Sequence, residues 1–172
     1  MTRRQFVLAA PAGLLAAGCR KADPVPFPTS DPMTPPGKIR VLFVCVENSN
    51  RSQMAQAFAA MHGGDRVEAL SAGSRPSGKV NPKAVAAMEE LGYDLTAHSS
   101  KSVEQFNGQE IDAAVTMGCG DACPLVNAKY RYDWQIPDPR EMPPEEFRKV
   151  RDLIGAKVKE LLKELLAESS EQ

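Results

Sequence analysis

The chain of 172 residues has only two histidines, His62 and His98, and four cysteines. It carries no internal repeat and no basic stripe. Lys and Arg number 21 against 22 Asp and Glu. That near-balance gives no electrostatic footprint for nucleic acid. The scarcity of histidine argues against a zinc centre, which needs about four ligands, since the two histidines lie in segments away from the paired cysteines. Its one long apolar stretch, ending at Ala17, is too short to span a bilayer as a stable helix.

What is present begins with that stretch. Arg3-Arg4 precede it, so residues 1–18 read as a charged region followed by an apolar one, the layout of an export signal. The paired arginines resemble a Tat signal. Leu15-Ala16-Ala17-Gly18-Cys19 resembles a bacterial lipobox, with Ala16 where leucine is usual. Cleavage would then fall before Cys19, and Cys19 would carry the lipid. Residues 19–37 hold Pro24, Pro26, Pro28, Pro32, Pro35 and Pro36 and read as a stiff extended tether. The implied location is an exported, membrane-anchored lipoprotein facing the periplasm or cell exterior, or the cytoplasm if the leader is not used. Without residues 1–18 the chain keeps 19 basic against 22 acidic residues, a net charge of −3.

From residue 38 to 172 the chain reads as one domain, long enough for its own core. Val41-Leu42-Phe43-Val44 is a continuous apolar run, expected as a buried parallel strand over 40–44. A helix follows over about 52–62 with Met54, Phe58 and Met61 on one face. Further strands are expected over about 67–71, 111–117 and 129–134. Asn81-Pro82 signals a second helix start, an N-cap followed by proline, with Val85, Met88 and Leu91 as its apolar face. A short helix is expected near Ser100. Pro143-Pro144-Glu145-Glu146 opens a long helix with Phe147, Val150, Ile154, Val158, Leu161 and Leu165 as its stripe. Alternating strands and helices imply an α/β three-layer sandwich, about four parallel strands with helices on both faces. Sites then gather at the carboxyl ends of the strands.

The most informative stretch sits at such an end. Cys45-Val46-Glu47-Asn48-Ser49-Asn50-Arg51-Ser52 joins the first strand to the first helix. Backbone N–H groups and the helix dipole there attract an oxyanion and favour a thiolate. Arg51 adds a planar fork suited to a tetrahedral oxyanion. The chemistry indicated is nucleophilic attack by Cys45 on a bound phosphate-like anion; the plainer alternative is a buried structural cysteine with Arg51 as a surface charge. Glu47 is unusual beside an anion site, and a carboxylate there is expected to face solvent. Cys119 and Cys123 form a close pair after the third strand, better suited to redox traffic than to stapling. Asp138 precedes a proline, so it reads either as an acid or as an Asp-Pro turn.

Taken together, these motifs resemble the arsenate reductases built on the low-molecular-weight tyrosine phosphatase fold, from Lys38 to about Leu166. The segments that carry the resemblance are Val41 to Gln53, Ser71-Ala72-Gly73, Val115 to Pro124, and Asp133-Trp134-Gln135-Ile136-Pro137-Asp138-Pro139. The resemblance implies that residues 46–52 bind the oxyanion, that Cys45 is the nucleophile, and that Arg51 stabilises the transition state. Asp138 would be the general acid, and the side chain of Asn48, assisted by that of Ser49, would shape the loop. Cys119 and then Cys123 would pass the disulfide outward to thioredoxin or a low-molecular-weight thiol. No cofactor and no metal is implied. Asn50 stands where some relatives carry another cysteine, which leaves that position outside the relay. The runner-up is a phosphatase for phosphotyrosine or small phosphomonoesters. Arg140, Glu141 and Met142 follow Asp138-Pro139, where such phosphatases place aromatic residues, and this argues against phosphotyrosine. His98 reads as a surface or cap residue.

Overall fold

The structure, a computed structural model, describes residues 37–118 and 126–169. The leader, the lipobox with Cys19, most of the tether, Cys119 and Cys123 lie outside the described residues. Four strands make one parallel sheet: β1 (Ile39–Cys45), β2 (Val67–Gly73), β3 (Ile111–Thr116) and β4 (Ala128–Asp133), in the order β2-β1-β3-β4. The helices are α1 (Arg51–Gly63), α2 (Pro82–Glu89) and α3 (Pro144–Glu168). The strands expected from the apolar runs are thus all present, each shifted by a residue or two at its ends.

β1 is buried on both faces because it is central and its side chains alternate. Val41, Phe43 and Cys45 join the cluster that holds α1, α2 and α3. Leu42 and Val44 join the opposite cluster with Ala72, Val103, Phe106, Ile111, Ala114 and Val126. This is the period-two geometry of a strand covered on both sides. The second face is covered by a 3-10 turn, Val103–Phe106, capped by the Ser102 side chain. That turn is the short helix expected near Ser100.

α3 carries the apolar stripe foreseen for it, with Phe147, Val150, Ile154, Val158, Leu161 and Leu165 all buried. Each such side chain contributes about 1.5–3 kcal/mol on removal from water. α2 starts as expected, with the Asn81 carboxamide accepting from Lys83 N–H at 2.9 Å. Its buried face differs from the expected one. Ala84, Ala87 and Met88 face the core, Val85 is half-buried, and Leu91 lies beyond the helix end and is exposed. The small Ala84 and Ala87 let α2 pack closely along that face, with Met88 buried beside them and Val85 turned partly away. Met61 of α1 is likewise exposed, while Met54 and Phe58 are buried.

Glu90, just after α2, ties that helix to α3. Its carboxylate takes two hydrogen bonds from Arg148 Nε at 2.9 Å, one from Arg148 Nη2 at 2.6 Å, and one from Arg151 Nη1 at 2.7 Å. These donors, Arg148 first, lower the Glu90 carboxyl to about 2 from its ordinary 4.5. A carboxyl lowered in the fold lends stability above its unfolded value and loses it as pH falls toward the folded one. The urea midpoint of the wild type is therefore expected to drop between pH 4.5 and pH 2 more steeply than that of Glu90→Gln. Equal slopes would remove this tie from the acid response.

Candidate active site

The parallel register brings the strand ends to one rim. Cys45 lies opposite Gly73, Val44 opposite Thr116, and Thr116 opposite Asp133. The loop 45–52 leaves β1 at this rim and enters α1. Between β1 and β3 the connections leave in opposite directions, and this is where open parallel sheets bind ligands.

The loop's shape follows from its hydrogen bonds. Every carbonyl from Cys45 to Asn50 is already used. Cys45, Val46, Glu47 and Ser49 accept from the N–H groups of Ser74, Arg75, Ser77 and Asn81 at 2.8–3.2 Å. The Asn48 carbonyl accepts from Gln53 Nε2 at 3.1 Å, and that of Asn50 from Met54 N–H at 3.0 Å. The N–H groups of Val46 to Asn50 find no such partner among the described residues. α1 also begins without a side-chain cap and without an acidic residue in its first turn. A run of unpaired amides continuing into a helix N-terminus is an anion-binding nest.

Asn48 holds the nest in shape. Its φ of 48° is the one positive value at a non-glycine among the described residues. Asparagine tolerates that region better than most residues. Its side chain is fully engaged: Oδ1 accepts from Lys101 N–H at 2.7 Å and from Gln53 Nε2 at 3.1 Å, and Nδ2 donates to Ser52 Oγ at 2.8 Å. Ser52 Oγ lies 3.1 Å from Cys45 Sγ. Because Ser52 Oγ already accepts from Asn48, its own hydrogen is free to point at the sulfur. A thiolate there can only accept. Gly73 permits the close approach of β2, since a Cβ would lie 2.8 Å from Asn48 N and from Val46 O.

Arg51 is buried and reaches across the rim. Nη1 donates to the Ile136 carbonyl at 3.0 Å, and Nη2 stands 3.6 Å from Asp138 Oδ2. Gly118, just after β3, passes so close that a Cβ would meet Arg51 Nη1 at 2.6 Å. Cys45, Val46, Glu47, Ser49, Asn50, Arg51, Asp138 and Arg140 line one small depression with a cavity volume of about 10 Å³. That is far below the ~300–1,000 Å³ of pockets for drug-sized ligands and leaves room only for a small group. Cys45 lies nearly buried at its floor, and Asp138 is exposed at its mouth. The structure thus brings Cys45, Arg51, Asp138 and the loop residues together.

Three residues behave differently from expectation. Glu47 does not simply face solvent: it is half-exposed and paired with Arg140 at 2.5 Å, which neutralises it beside the anion site. Ser49 holds the loop through its carbonyl rather than its hydroxyl. His98 is neither a surface residue nor a cap. It bridges Gln53 Oε1, 3.0 Å from Nδ1, and the Tyr93 hydroxyl, 3.1 Å from Nε2. Gln53, Lys101, Arg140 and Gly118 were not singled out in the sequence as site-building residues. They act through backbone groups or long-range contacts that have no local pattern. The exception is Gly118, a glycine directly after an apolar strand run, which signals close backbone approach.

The chain's sequence also matches the pattern of the low molecular weight phosphotyrosine protein phosphatase family over residues 40–171. The chain belongs to this family. Within it, the chain is 39% identical over 126 residues to the glutaredoxin arsenate reductase of Synechocystis sp., covering 72% of this chain and 95% of that protein. It resembles a solved arsenate reductase in the phosphate binding state with a TM-score of 0.68 and 37% identity, covering 73% of this chain and 98% of that one. A thioredoxin-dependent arsenate reductase from Corynebacterium glutamicum gives a TM-score of 0.66 at 30% identity, covering 78% of this chain and 65% of that one. These likenesses accord with the α/β four-stranded parallel fold and with the resemblance carried by the loop motifs.

Burial lowers the pKa of His98 below its ordinary 6.5; Lys101 lowers it further and Asp94 partly opposes this. The neutral ring fits its partners, with Nδ1–H donating to Gln53 and Nε2 accepting from Tyr93. Because the folded value is lowered, the stability this group lends is present above pH 6.5 and is lost as pH falls toward the folded value. Chemical denaturation at pH 7.5 and about pH 5 is expected to show a larger loss for the wild type than for His98→Asn. An identical loss would mean that His98 does not carry it.

Proposed function

We propose that this protein reduces arsenate to arsenite through Cys45 and an intramolecular disulfide relay. The observation that carries this reading is the delivery of β3 to the oxyanion site. β3 pairs directly with β1, and its chain reaches the Arg51 guanidinium at Gly118, one residue before Cys119 in the sequence. A phosphatase has no use for cysteines at that point.

Arsenate sits on the amides of residues 46–52, and Arg51 turns from Asp138 to its oxygens. The Cys45 thiolate attacks arsenic, a sulfur–arsenic bond forms, and one oxygen leaves as water with the proton of Asp138. The Cys119 thiolate then attacks the Cys45 sulfur. The sulfur–arsenic bond breaks, its electron pair stays on arsenic, and arsenite departs as a Cys45–Cys119 disulfide forms. Cys123 attacks Cys119, frees the Cys45 thiolate and leaves a Cys119–Cys123 disulfide. A glutaredoxin- or thioredoxin-like protein, or a low-molecular-weight thiol, reduces that bond. The names of the relatives support this class of reductant.

Reduced protein mixed with arsenate and no added reductant is expected to release one arsenite per chain and lose two thiols. Cys119→Ser is expected to abolish the release. Intact thiols with sustained turnover of an aryl phosphate would instead make the protein a phosphatase and Cys119 and Cys123 structural.

The leader supports an exported, lipid-anchored form of the enzyme. Arg3-Arg4, the apolar run and the small residues before Cys19 fit export and lipidation, and the proline-rich residues 19–37 fit a spacer between membrane and domain. On this reading the reducing thiols are supplied on the outer side of the membrane. Expressed in its own host, the wild-type protein is expected in the membrane fraction and to incorporate labelled fatty acid. Cys19→Ala is expected to lose the label. A wild-type protein found unlabelled and cytoplasmic would discard the anchor.

A further inference from the structure

The mouth of the oxyanion site is bridged by an ion pair that the chemistry above does not need. Glu47 comes from the loop after β1, and Arg140 from the segment after β4 that carries Asp138. Their charged ends meet at 2.5 Å, with side-chain exposures of 32% and 45%. Both line the same depression as Cys45 and Asp138. The backbone of Arg140 is pinned: its N–H donates to Asp138 Oδ1 at 3.2 Å, and its carbonyl accepts from Lys83 Nζ at 2.9 Å. Lys83 also holds the Met142 carbonyl at 3.1 Å. A fixed turn thus presents the guanidinium to Glu47. Exposed ion pairs add little to stability, so folding does not explain this placement.

The direction of the reaction does explain it. Cys45 is 3% exposed and forms the floor. In-line displacement sends the departing oxygen away from the sulfur, toward Asp138 and the mouth. For an inorganic oxyanion that oxygen carries only hydrogen and leaves as water. For a phosphomonoester it carries an organic substituent, which must pass out beside Asp138 where the pair closes the opening. The pair then has to part, leaving the Glu47 carboxylate without its cation next to a doubly charged ligand, a like-charge contact. An inorganic tetrahedral anion lies beneath the closed pair and imposes no such cost.

Resting on the arsenate-reductase reading for the direction of displacement, we infer that the Glu47–Arg140 pair is a clasp that restricts this site to inorganic oxyanions and turns away organic phosphomonoesters. Glu47 and Arg140 are specificity residues on this view, and their effect falls on the substituent rather than on the reacting atoms.

The test compares binding of inorganic phosphate and of phenyl phosphate to the full chain carrying Cys45→Ser, which prevents turnover. Binding is measured well above neutral pH, where both ligands are dianions, so their ratio isolates the substituent from overall charge. The preference for inorganic phosphate is expected to fall at least about tenfold, or about 1.4 kcal/mol, in Arg140→Ala and in Glu47→Gln. The exchanged pair, Glu47→Arg with Arg140→Glu, is expected to bring the preference back. Raising the salt concentration is expected to narrow the preference in the parent but not in Arg140→Ala, because salt screens an exposed pair. This second comparison decides the matter if the exchanged pair does not fold. A preference unchanged in both single variants and insensitive to salt overturns the clasp. Arsenite release by the wild-type chain is measured alongside. Release with an unchanged preference removes the clasp and leaves the reductase. No release with a shifted preference removes the reductase and leaves the filter.

Discussion

The rest of the site depends on the backbone of Asn48 being held at positive φ. That one residue turns the chain so that the carbonyls of Cys45, Val46, Glu47 and Ser49 reach the 74–81 segment and the loop amides find no backbone partner among the described residues. The conformation is costly for any side chain, of the order of 1–3 kcal/mol. It persists because both ends of the Asn48 carboxamide are tied, to Lys101 N–H, Gln53 and Ser52. The same side chain thus sets the loop's curvature and, through Ser52, the hydrogen bond offered to Cys45. Structure and reactivity share one residue, and neither can be adjusted alone.

The scaffold was largely legible because its signals are local. An apolar run such as Val41–Val44 can only be a central strand once a helix follows it. Asn81-Pro82 and Pro143-Pro144-Glu145 mark helix starts by capping chemistry that needs no tertiary contact. Cys45, Arg51 and Asp138 were found as members of motifs, and the structure brings them to one rim. What could not be read was orientation and long-range pairing. The face of α2 turned out to be set by Ala84 and Ala87, whose small size matters only where the helix meets the core. Glu47 meets Arg140 across 93 positions of sequence, and no period or motif records such a pair. His98 looked like a surface residue because nothing near it in sequence names Gln53 or Tyr93 as a partner.

The fold itself is neutral between two chemistries. Loop amides, Arg51, a thiol and a carboxyl serve phosphoryl transfer as well as they serve attack on arsenic. The difference lies in electrons: a phosphatase returns its cysteine by hydrolysis, whereas a reductase gives two electrons to arsenic and must recover them from other thiols. The sheet order answers to that need. Placing β3 beside β1 brings Gly118, one residue before Cys119 in the sequence, against the Arg51 guanidinium.

The uncapped start of α1 carries a consequence for the protein in its cellular setting. Amides that find no backbone partner among the described residues favour the fold less when the nest is empty than when an anion fills it. Occupancy adds to stability as RT ln(1 + [L]/Kd). Phosphate, abundant wherever cells grow, then acts in two opposed ways on the same amides: it keeps arsenate out, and it keeps the loop in shape. A chain of this kind cannot be made more resistant to phosphate inhibition through those amides without also losing part of what phosphate does for its folding.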